Sequence, residues 1–211
     1  MTITAASEMV FKTIVSSKDG KLILEAILKN VFKKKVIIKR YLKVELPMEE
    51  KEKRLDLLIE TSIGFINIKV NKNDYNKESI VRNFRYFCEF LVQNVKKGKC
   101  YLDTDYIQLN INFGNNVMND YTITNGEFID EEKTSKKNFK ILNLSMTNLC
   151  RLCCNDHELI SKYRYILMLG KTVDELVDFY PDDEIVGLYG GELMRLSANA
   201  SFVRMLANEE E

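Results

Sequence analysis

The spacing of hydrophobic residues separates helical from extended stretches. Apolar positions recur every three to four residues in 5–16 and 20–33, which predicts two helices joined by a turn at Asp19-Gly20. A long segment at 75–96 has the same period and ends in lysines before Gly98, as helices often do. β-branched residues and alternating patterns predict strands at 35–45, 54–61, 65–71, 105–113, 119–124 and 138–144.

The C-terminal third returns to the helical period. Helices are predicted there at 155–169, 172–179, 182–196 and 198–208. The order of elements predicts an α/β fold, with a mixed β-sheet sandwiched by helices and a helical C-terminal tail. We expect an α/β core at 1–146 and a helical region at 147–211 packed on it.

Composition indicates an ordinary globular protein. Hydrophobic residues make up 45% of the 211 positions and charged residues 29%. The five cysteines are an odd number, and the first residues do not resemble a secretory signal, so we expect a cytoplasmic protein. No apolar run reaches the ~18 residues of a membrane span, so no membrane partner is expected.

Charge is distributed unevenly along the chain. Residues 1–100 contain 21 Lys and Arg against 12 Asp and Glu, whereas 101–211 contain 10 against 19. The basic half could bind nucleic acid or an acidic protein, and ordinary solvated surface explains it equally well. The candidate nucleic-acid or partner-binding residues are Lys33, Lys34, Lys35 and Lys39, with Arg82, Arg85 and Tyr86 on the long helix.

Two neighbouring strands carry a pattern found in metal-dependent nucleases. Asp56 lies on the first strand, and Lys69 and Asn71 lie at i and i+2 of the next, on the same face as Asn67. Such nucleases place carboxylates there because Mg²⁺ prefers oxygen ligands. Here one position of the pair is an ammonium group.

At these residues the chain resembles the PD-(D/E)XK nuclease family transposase group, relatives of the recombination-promoting nucleases. The resemblance begins with 8–12 (EMVFK), similar to the family's opening Asp-x-x-Phe-Lys. The later matching segments are 54–57 (RLDL), 66–71 (INIKVN), Arg82 with Tyr86, 97–101 (KGKCY), 105–111 (DYIQLNI) and 193–204. Together they cover nearly the whole chain.

The resemblance implies a nuclease fold with a remnant catalytic site of Glu8, Asp56, Lys69 and Asn71. Where the family reads glutamate and glutamine, this chain has Lys69 and Asn71. An ammonium group removes a metal ligand and adds a cation, so we expect no bound metal, no cofactor and an ion pair between Asp56 and Lys69.

Three functions follow from the resemblance. The first is a catalytically inactive protein that binds a partner, such as a phage or mobile-element inhibitor of a host defence nuclease (an anti-CRISPR, for example). Its partner would be a protein, such as a nucleic-acid-processing effector. The alternative is an active DNA endonuclease in which Asp74 or Glu78 supplies the missing Mg²⁺ ligand. The third is a decayed transposase-associated protein without activity.

Cys150, Cys153, Cys154 and His157 form a further motif, C-x-x-C-C-x-x-H. Four such side chains could bind zinc. Their offsets also place them on one face of a single helix, where cysteines commonly enter the core. The sequence leaves both explanations open.

Overall fold

The structure, a computed structural model, describes residues 3–42, 57–72, 77–94, 105–114, 121–129 and 135–209. Its contacts form two compact units. The sheet unit is Ile37–Asn148, and the helical unit combines Met1–Val36 with Leu149–Glu211. The sequence had placed the first two helices with the strands, whereas the structure groups them with the C-terminal helices.

The sheet unit contains one six-stranded mixed sheet in the part of the chain that is described. The strand order is β1-β2-β3-β4-β6-β5. Neighbours are antiparallel from β1 to β3, β4 runs parallel to both β3 and β6, and β5 is antiparallel to β6. The strands are β1 (Ile38–Leu42), β2 (Leu57–Thr61), β3 (Gly64–Asn71), β4 (Tyr106–Asn112), β5 (Tyr121–Ile129) and β6 (Ser135–Ser145).

A long helix, α3 (Lys77–Asn94), connects the parallel strands β3 and β4. Parallel neighbours need such a crossover because the chain must return to the end of the sheet at which the first strand began. The inner side of α3 carries Tyr86, Phe87 and Phe90, which pack on Tyr106 and Phe139 in one buried aromatic cluster. Strands β2 and β3 thus form an antiparallel pair in the same sheet on which α3 packs.

The helical unit has a largely apolar core. The buried positions of α2 include Ile23, Leu24, Ile27 and Leu28, and Tyr189 is buried on α7. The helices are α1 (Glu8–Val15), α2 (Gly20–Phe32), α4 (Met146–Cys153), α5 (His157–Leu167), α6 (Val173–Val177), α7 (Glu184–Ser197) and α8 (Ala200–Glu209), with a 3-10 turn at Met168–Gly170 after α5.

Most element boundaries lie close to those predicted, and the differences are local. Helix α4 was not predicted, because it begins directly after β6 without a proline, glycine or charged cap to separate the two. Strand β5 extends well beyond the predicted 119–124. None of the helices described here is long and apolar enough to cross a bilayer.

Candidate functional site

The polar face of the sheet begins on β3. Side chains alternate along a strand, so Asn67, Lys69 and Asn71 share one face, while Ile66 and Ile68 lie on the other. The structure thus brings Lys69 and Asn71 together as the sequence predicted. It also shows that Asn67 is fully buried.

Strand β4 extends this face, because it runs parallel to β3 and in register with it. Asn67 lies opposite Gln108, Lys69 opposite Asn110 and Asn71 opposite Asn112. On the far side of β4, Asn110 is paired with Asn143 of β6. We call the resulting set of side chains the amide ladder: Asn67, Asn71, Gln108, Asn110, Asn112 and Asn143.

Hydrogen bonds connect the amide ladder across three strands. Asn67 Nδ2 donates to Gln108 Oε1 at 2.8 Å, and Gln108 Nε2 donates to Asn110 Oδ1 at 3.1 Å. Asn110 Nδ2 then donates to Asn143 Oδ1 at 2.8 Å. Asn71 Nδ2 donates to Asn112 Oδ1, also at 2.8 Å. Buried amides commonly satisfy one another in this way, because an unpaired polar group is costly to desolvate.

One oxygen atom of the amide ladder has no hydrogen-bond partner among the described residues. Asn67 Oδ1 is buried and accepts no hydrogen bond from any residue the structure describes. Gln108, by contrast, also accepts from the Tyr106 hydroxyl at 3.2 Å. Among the described residues, Asn67 Oδ1 is therefore the one buried ladder atom without a hydrogen-bond partner.

Lys69 is partly exposed, and the ladder side chains next to it on β3 and β4 are neutral amides. The sequences of β3, β4 and β6 contain no aspartate or glutamate. Most ladder oxygens already accept hydrogen bonds from neighbouring amides, so they are poorly placed to replace the water shell of a divalent cation. Within the described ranges, no three His, Cys, Asp or Glu side chains come together to hold a metal ion.

Of the other two residues of the predicted remnant site, the structure describes Glu8 but not Asp56. Glu8 belongs to the helical unit, where its carboxylate pairs with Lys12 one turn later on α1. Asp56 and Asp74 lie outside the described residues. Glu78 is exposed in the first turn of α3.

The predicted basic residues lie in several environments. Lys33 ends α2 in the left-handed region (φ 54°), and its Nζ lies 3.7 Å from the centre of the Tyr163 ring. Burial, with a smaller contribution from Lys162, holds the pKa of Lys33 below its usual value. Lys34 and Lys35 are exposed.

Two basic side chains on the edge strand β1 surround a carboxylate. Lys39 Nζ lies 3.8 Å from Glu60 Oε1, and Arg40 Nε lies 2.6 Å from Glu60 Oε2. Glu60 lies opposite Phe65 of β3, so it is on the same face of the sheet as Lys69, but its carboxylate pairs with the basic side chains of β1. Exposed pairs of this kind add little stability.

The predicted binding residues of α3 divide between its two sides. Arg82 and Arg85 are exposed, and Arg85 Nε contacts Glu89 Oε1 at 2.9 Å. Tyr86 is only 3% exposed and belongs to the aromatic cluster. Its predicted place on a binding surface is therefore corrected, because its position on the helix turns it toward the sheet.

The cysteine motif does not lie on one helix, contrary to one of its two interpretations. Helix α4 ends at Cys153, Asn155 adopts a left-handed conformation (φ 65°), and Asp156 caps α5. Cys153 is buried, whereas Cys150, Cys154 and His157 are exposed. Asparagine tolerates the left-handed region, which explains why the chain turns here.

The amide ladder is the feature that sequence reasoning missed. Its signal is present in the alternation of polar and apolar letters in INIKVN, YIQLNIN and ILNL. Alternation normally indicates one solvent-facing side, whereas here most of the polar side is buried. No family model, no curated protein and no solved structure matches this chain.

Proposed function

We propose that this chain is a catalytically inactive relative of the PD-(D/E)XK nuclease family transposases and acts by binding a partner. The observation that carries the proposal is that amides rather than carboxylates stand next to Lys69 on β3 and β4. Its two strand neighbours on the same face are Asn67 and Asn71, and its partner in register is Asn110. On β3 and β4, the positions that would need acidic ligands thus carry amides around one cation.

Electrostatics explain why this arrangement disfavours a metal ion. A divalent cation ~4 Å from an ammonium group is repelled by several kcal/mol at an effective dielectric of ~20. A carboxylate at position 69 would reverse the sign of that interaction. Since the surrounding amides are engaged with one another, they offer little compensation.

The described strands support the family resemblance. It requires an antiparallel pair containing Lys69, a helix across the sheet and a following parallel strand. Strands β2 and β3, helix α3 and strand β4 occur along the chain in that order, which is consistent with the proposal. The proposed partner is a nucleic-acid-processing effector of a host defence system, and the chain would be its mobile-element or phage inhibitor.

The decisive experiment is a cleavage assay with Mg²⁺ or Mn²⁺ on plasmid and single-stranded DNA. We expect the wild-type protein to leave both substrates intact and to give no binding heat with either ion in calorimetry. Cleavage that disappears in Asp56→Ala would contradict the proposal. It would favour the active endonuclease in which Asp74 or Glu78 provides the missing ligand.

A gain-of-ligand variant tests the reason for inactivity. The double change Lys69→Glu with Asn71→Gln restores the family's side chains at both positions. We expect it to bind Mn²⁺ measurably, and adding Asp56→Ala should remove that binding. The matched control is Lys39→Glu, which makes the same charge change on the exposed edge strand and should bind no ion.

Partner binding is tested by adding the purified chain to CRISPR and restriction effectors during target cleavage. We expect inhibition of at least one effector at stoichiometric protein. Lys34→Glu with Lys35→Glu tests whether the exposed basic residues take part. If no effector in a broad panel is bound or inhibited, the decayed, inactive protein becomes the better explanation.

A further inference from the structure

The helical unit has a cavity where α5 meets the segment that leads into α7. Its volume is about 420 Å³, which is typical of sites that bind small molecules. Ser161 and Arg164 of α5 line it, together with four consecutive residues before and at the start of α7: Tyr180, Pro181, Asp182 and Asp183. We call it the α5 cavity.

The guanidinium group of Arg164 is held in place by its own chain. Its Nε donates to Asp183 Oδ2 at 2.8 Å, its Nη1 to the Ser161 carbonyl oxygen at 2.9 Å and its Nη2 to the Tyr165 hydroxyl at 2.8 Å. A guanidinium group has five N–H bonds, so each terminal nitrogen keeps one N–H that bonds to none of the residues the structure describes. Two such donors on neighbouring nitrogens match the two oxygens of a carboxylate.

The two aspartates of the cavity differ in what they already bind. Both oxygens of Asp183 are engaged, since Oδ2 accepts from Arg164 and Tyr165, and Oδ1 accepts from two backbone amides in the first turn of α7. Asp182 is exposed, and its carboxylate has no hydrogen-bond or ion-pair partner among the described residues. Because Asp183 neutralises Arg164, the cavity retains a net negative charge at Asp182. This charge disfavours a purely anionic ligand and favours one that carries a positive group beside its carboxylate.

Tyr180 and Pro181 add apolar surface to the cavity. Tyr180 has a left-handed backbone conformation (φ 53°), which is unfavourable for a tyrosine and for a residue that precedes proline. The Tyr180 ring meets Phe179 edge-on, with centroids 5.1 Å apart, and the Arg164 Cζ lies 5.8 Å from the centre of the Tyr180 ring. The ring is therefore close to the free donors of Arg164, where it can contact the side chain of a ligand bound to them.

We propose that the α5 cavity binds a free α-amino acid with an apolar side chain. The ligand's carboxylate accepts hydrogen bonds from the two remaining N–H groups of Arg164, and its ammonium group pairs with Asp182. Its side chain lies against Tyr180 and Pro181. Such a ligand has no net charge, so it satisfies Arg164 and Asp182 together. The proposal is independent of catalytic inactivity and of the partner proposed above.

Calorimetric titration of the full chain with L-phenylalanine, L-leucine and L-methionine tests the site. We expect the tightest of them to bind at a single site with a dissociation constant on the order of 100 micromolar. Two analogues of that amino acid then separate its charges, the amine that lacks the carboxylate and the acid that lacks the ammonium group. Each analogue should bind at least about tenfold more weakly than the amino acid.

Substitution of Asp182 tests the pairing with the ammonium group. Asp182→Asn should raise the dissociation constant about tenfold and leave the fold intact, because Asp182 is exposed and makes no contact that the fold needs. The matched control is Asp174→Asn, which makes the same charge change at an exposed position of α6 outside the cavity. It should leave the affinity unchanged.

Arg164→Lys tests recognition of the carboxylate. Lysine keeps the positive charge beside Asp183 but lacks the paired N–H groups of a guanidinium, so the amino acid should again bind about tenfold more weakly. Circular dichroism first confirms that this variant is folded. The proposal is overturned if none of the amino acids binds at millimolar concentration, if the amine binds as tightly as the amino acid, or if Asp182→Asn leaves the affinity unchanged.

Discussion

The two units of this protein bury polar side chains in opposite ways. In the sheet unit most of the buried polar side chains are neutral amides, and Asn110 lies at the centre of their hydrogen bonds. The helical unit buries the amide of Asn30, and it also holds a partly buried charged group formed by Arg164, Tyr165 and Asp183. A sheet presents rows of side chains that can bond sideways, whereas helices concentrate unsatisfied backbone groups, and therefore charges, at their ends.

The charged group of the helical unit is built around the start of α7. Arg164 Nε donates to Asp183 Oδ2 at 2.8 Å, and the Tyr165 hydroxyl donates to the same oxygen at 3.0 Å. The other oxygen, Oδ1, accepts from the backbone amides of Ile185 and Val186 and so caps the helix. One carboxylate thus serves an ion pair and a helix end.

These arrangements respond differently to pH. Burial alone would raise the pKa of Asp183, but the hydrogen bonds from Arg164, the Val186 amide and Tyr165 hold that pKa below its ordinary 3.8. A lowered carboxyl pKa stabilises the fold above the unfolded value, and this stability is lost as the pH falls through the folded value. The amide ladder has no titrating group. Of the two hydrogen-bond networks, only the one around Asp183 should therefore lose stability in acid.

The largest effect is expected from Asn110→Asp, which introduces a charge into the neutral network. The side chain keeps its shape but loses the Nδ2 donor to Asn143, in a position that is fully buried. We expect a loss of about 4 kcal/mol or more in the free energy of unfolding at neutral pH. Chemical denaturation followed by circular dichroism measures it.

The pH dependence of Asn110→Asp provides its own control. Desolvation should raise the pKa of the new carboxyl in the folded state above its unfolded value of ~3.9. The variant should therefore be least impaired below about pH 4 and lose stability as the pH rises. A defect of the same size at pH 4 and pH 7 would show that the carboxyl reaches solvent and that the ladder is not buried.

A smaller effect is expected from Asp183→Ala in the helical unit. It removes the helix cap and leaves Arg164 without its ion-pair partner, for an expected loss of about 2–3 kcal/mol. Asp183→Asn should lose less, since asparagine also caps helices, but it too should abolish the ion pair. Denaturation at pH 7 and at pH 3 compares the variants with the wild type.

The pH series makes the prediction for Asp183 specific. The wild type should lose the contribution of Asp183 below pH 3.8, so the gap between wild type and both variants should narrow at pH 3. An equal gap at both values would mean that Arg164 does not stabilise the carboxylate. The contrast between the charged and the neutral unit would then be wrong.

The sequence predicted the elements far better than their environment. Periodicity located β3 and α3 to within a few residues, because side-chain direction follows directly from strand and helix geometry. It could not show that Asn67 and Gln108 are buried, since a polar row reads as solvent-facing until the layer above it is known. Tyr86 was misplaced for the same reason, because its partners Tyr106 and Phe139 come from distant strands.

The smallest effects are expected at two exposed side-chain contacts, one in each unit. In the helical unit, the Thr172 hydroxyl accepts from the Glu175 amide at 3.2 Å, and Glu175 Oε2 accepts from the Thr172 amide at 2.8 Å, which is a reciprocal capping box. In the sheet unit, the Ser62 hydroxyl accepts only from the exposed Ile37 amide at 3.1 Å. Thr172→Ala should cost about 1 kcal/mol because it leaves a helix-end amide unpaired, and Ser62→Ala should cost about half as much because water can replace the bond.

Glu175 should keep a pKa below its usual value in Thr172→Ala, since the Thr172 backbone amide, the main cause of the shift, is retained. Urea denaturation of the two variants in parallel, with NMR titration of Glu175, checks both statements. Equal losses would show that the exposed end of α6 depends no more on its cap than the sheet edge does on Ser62.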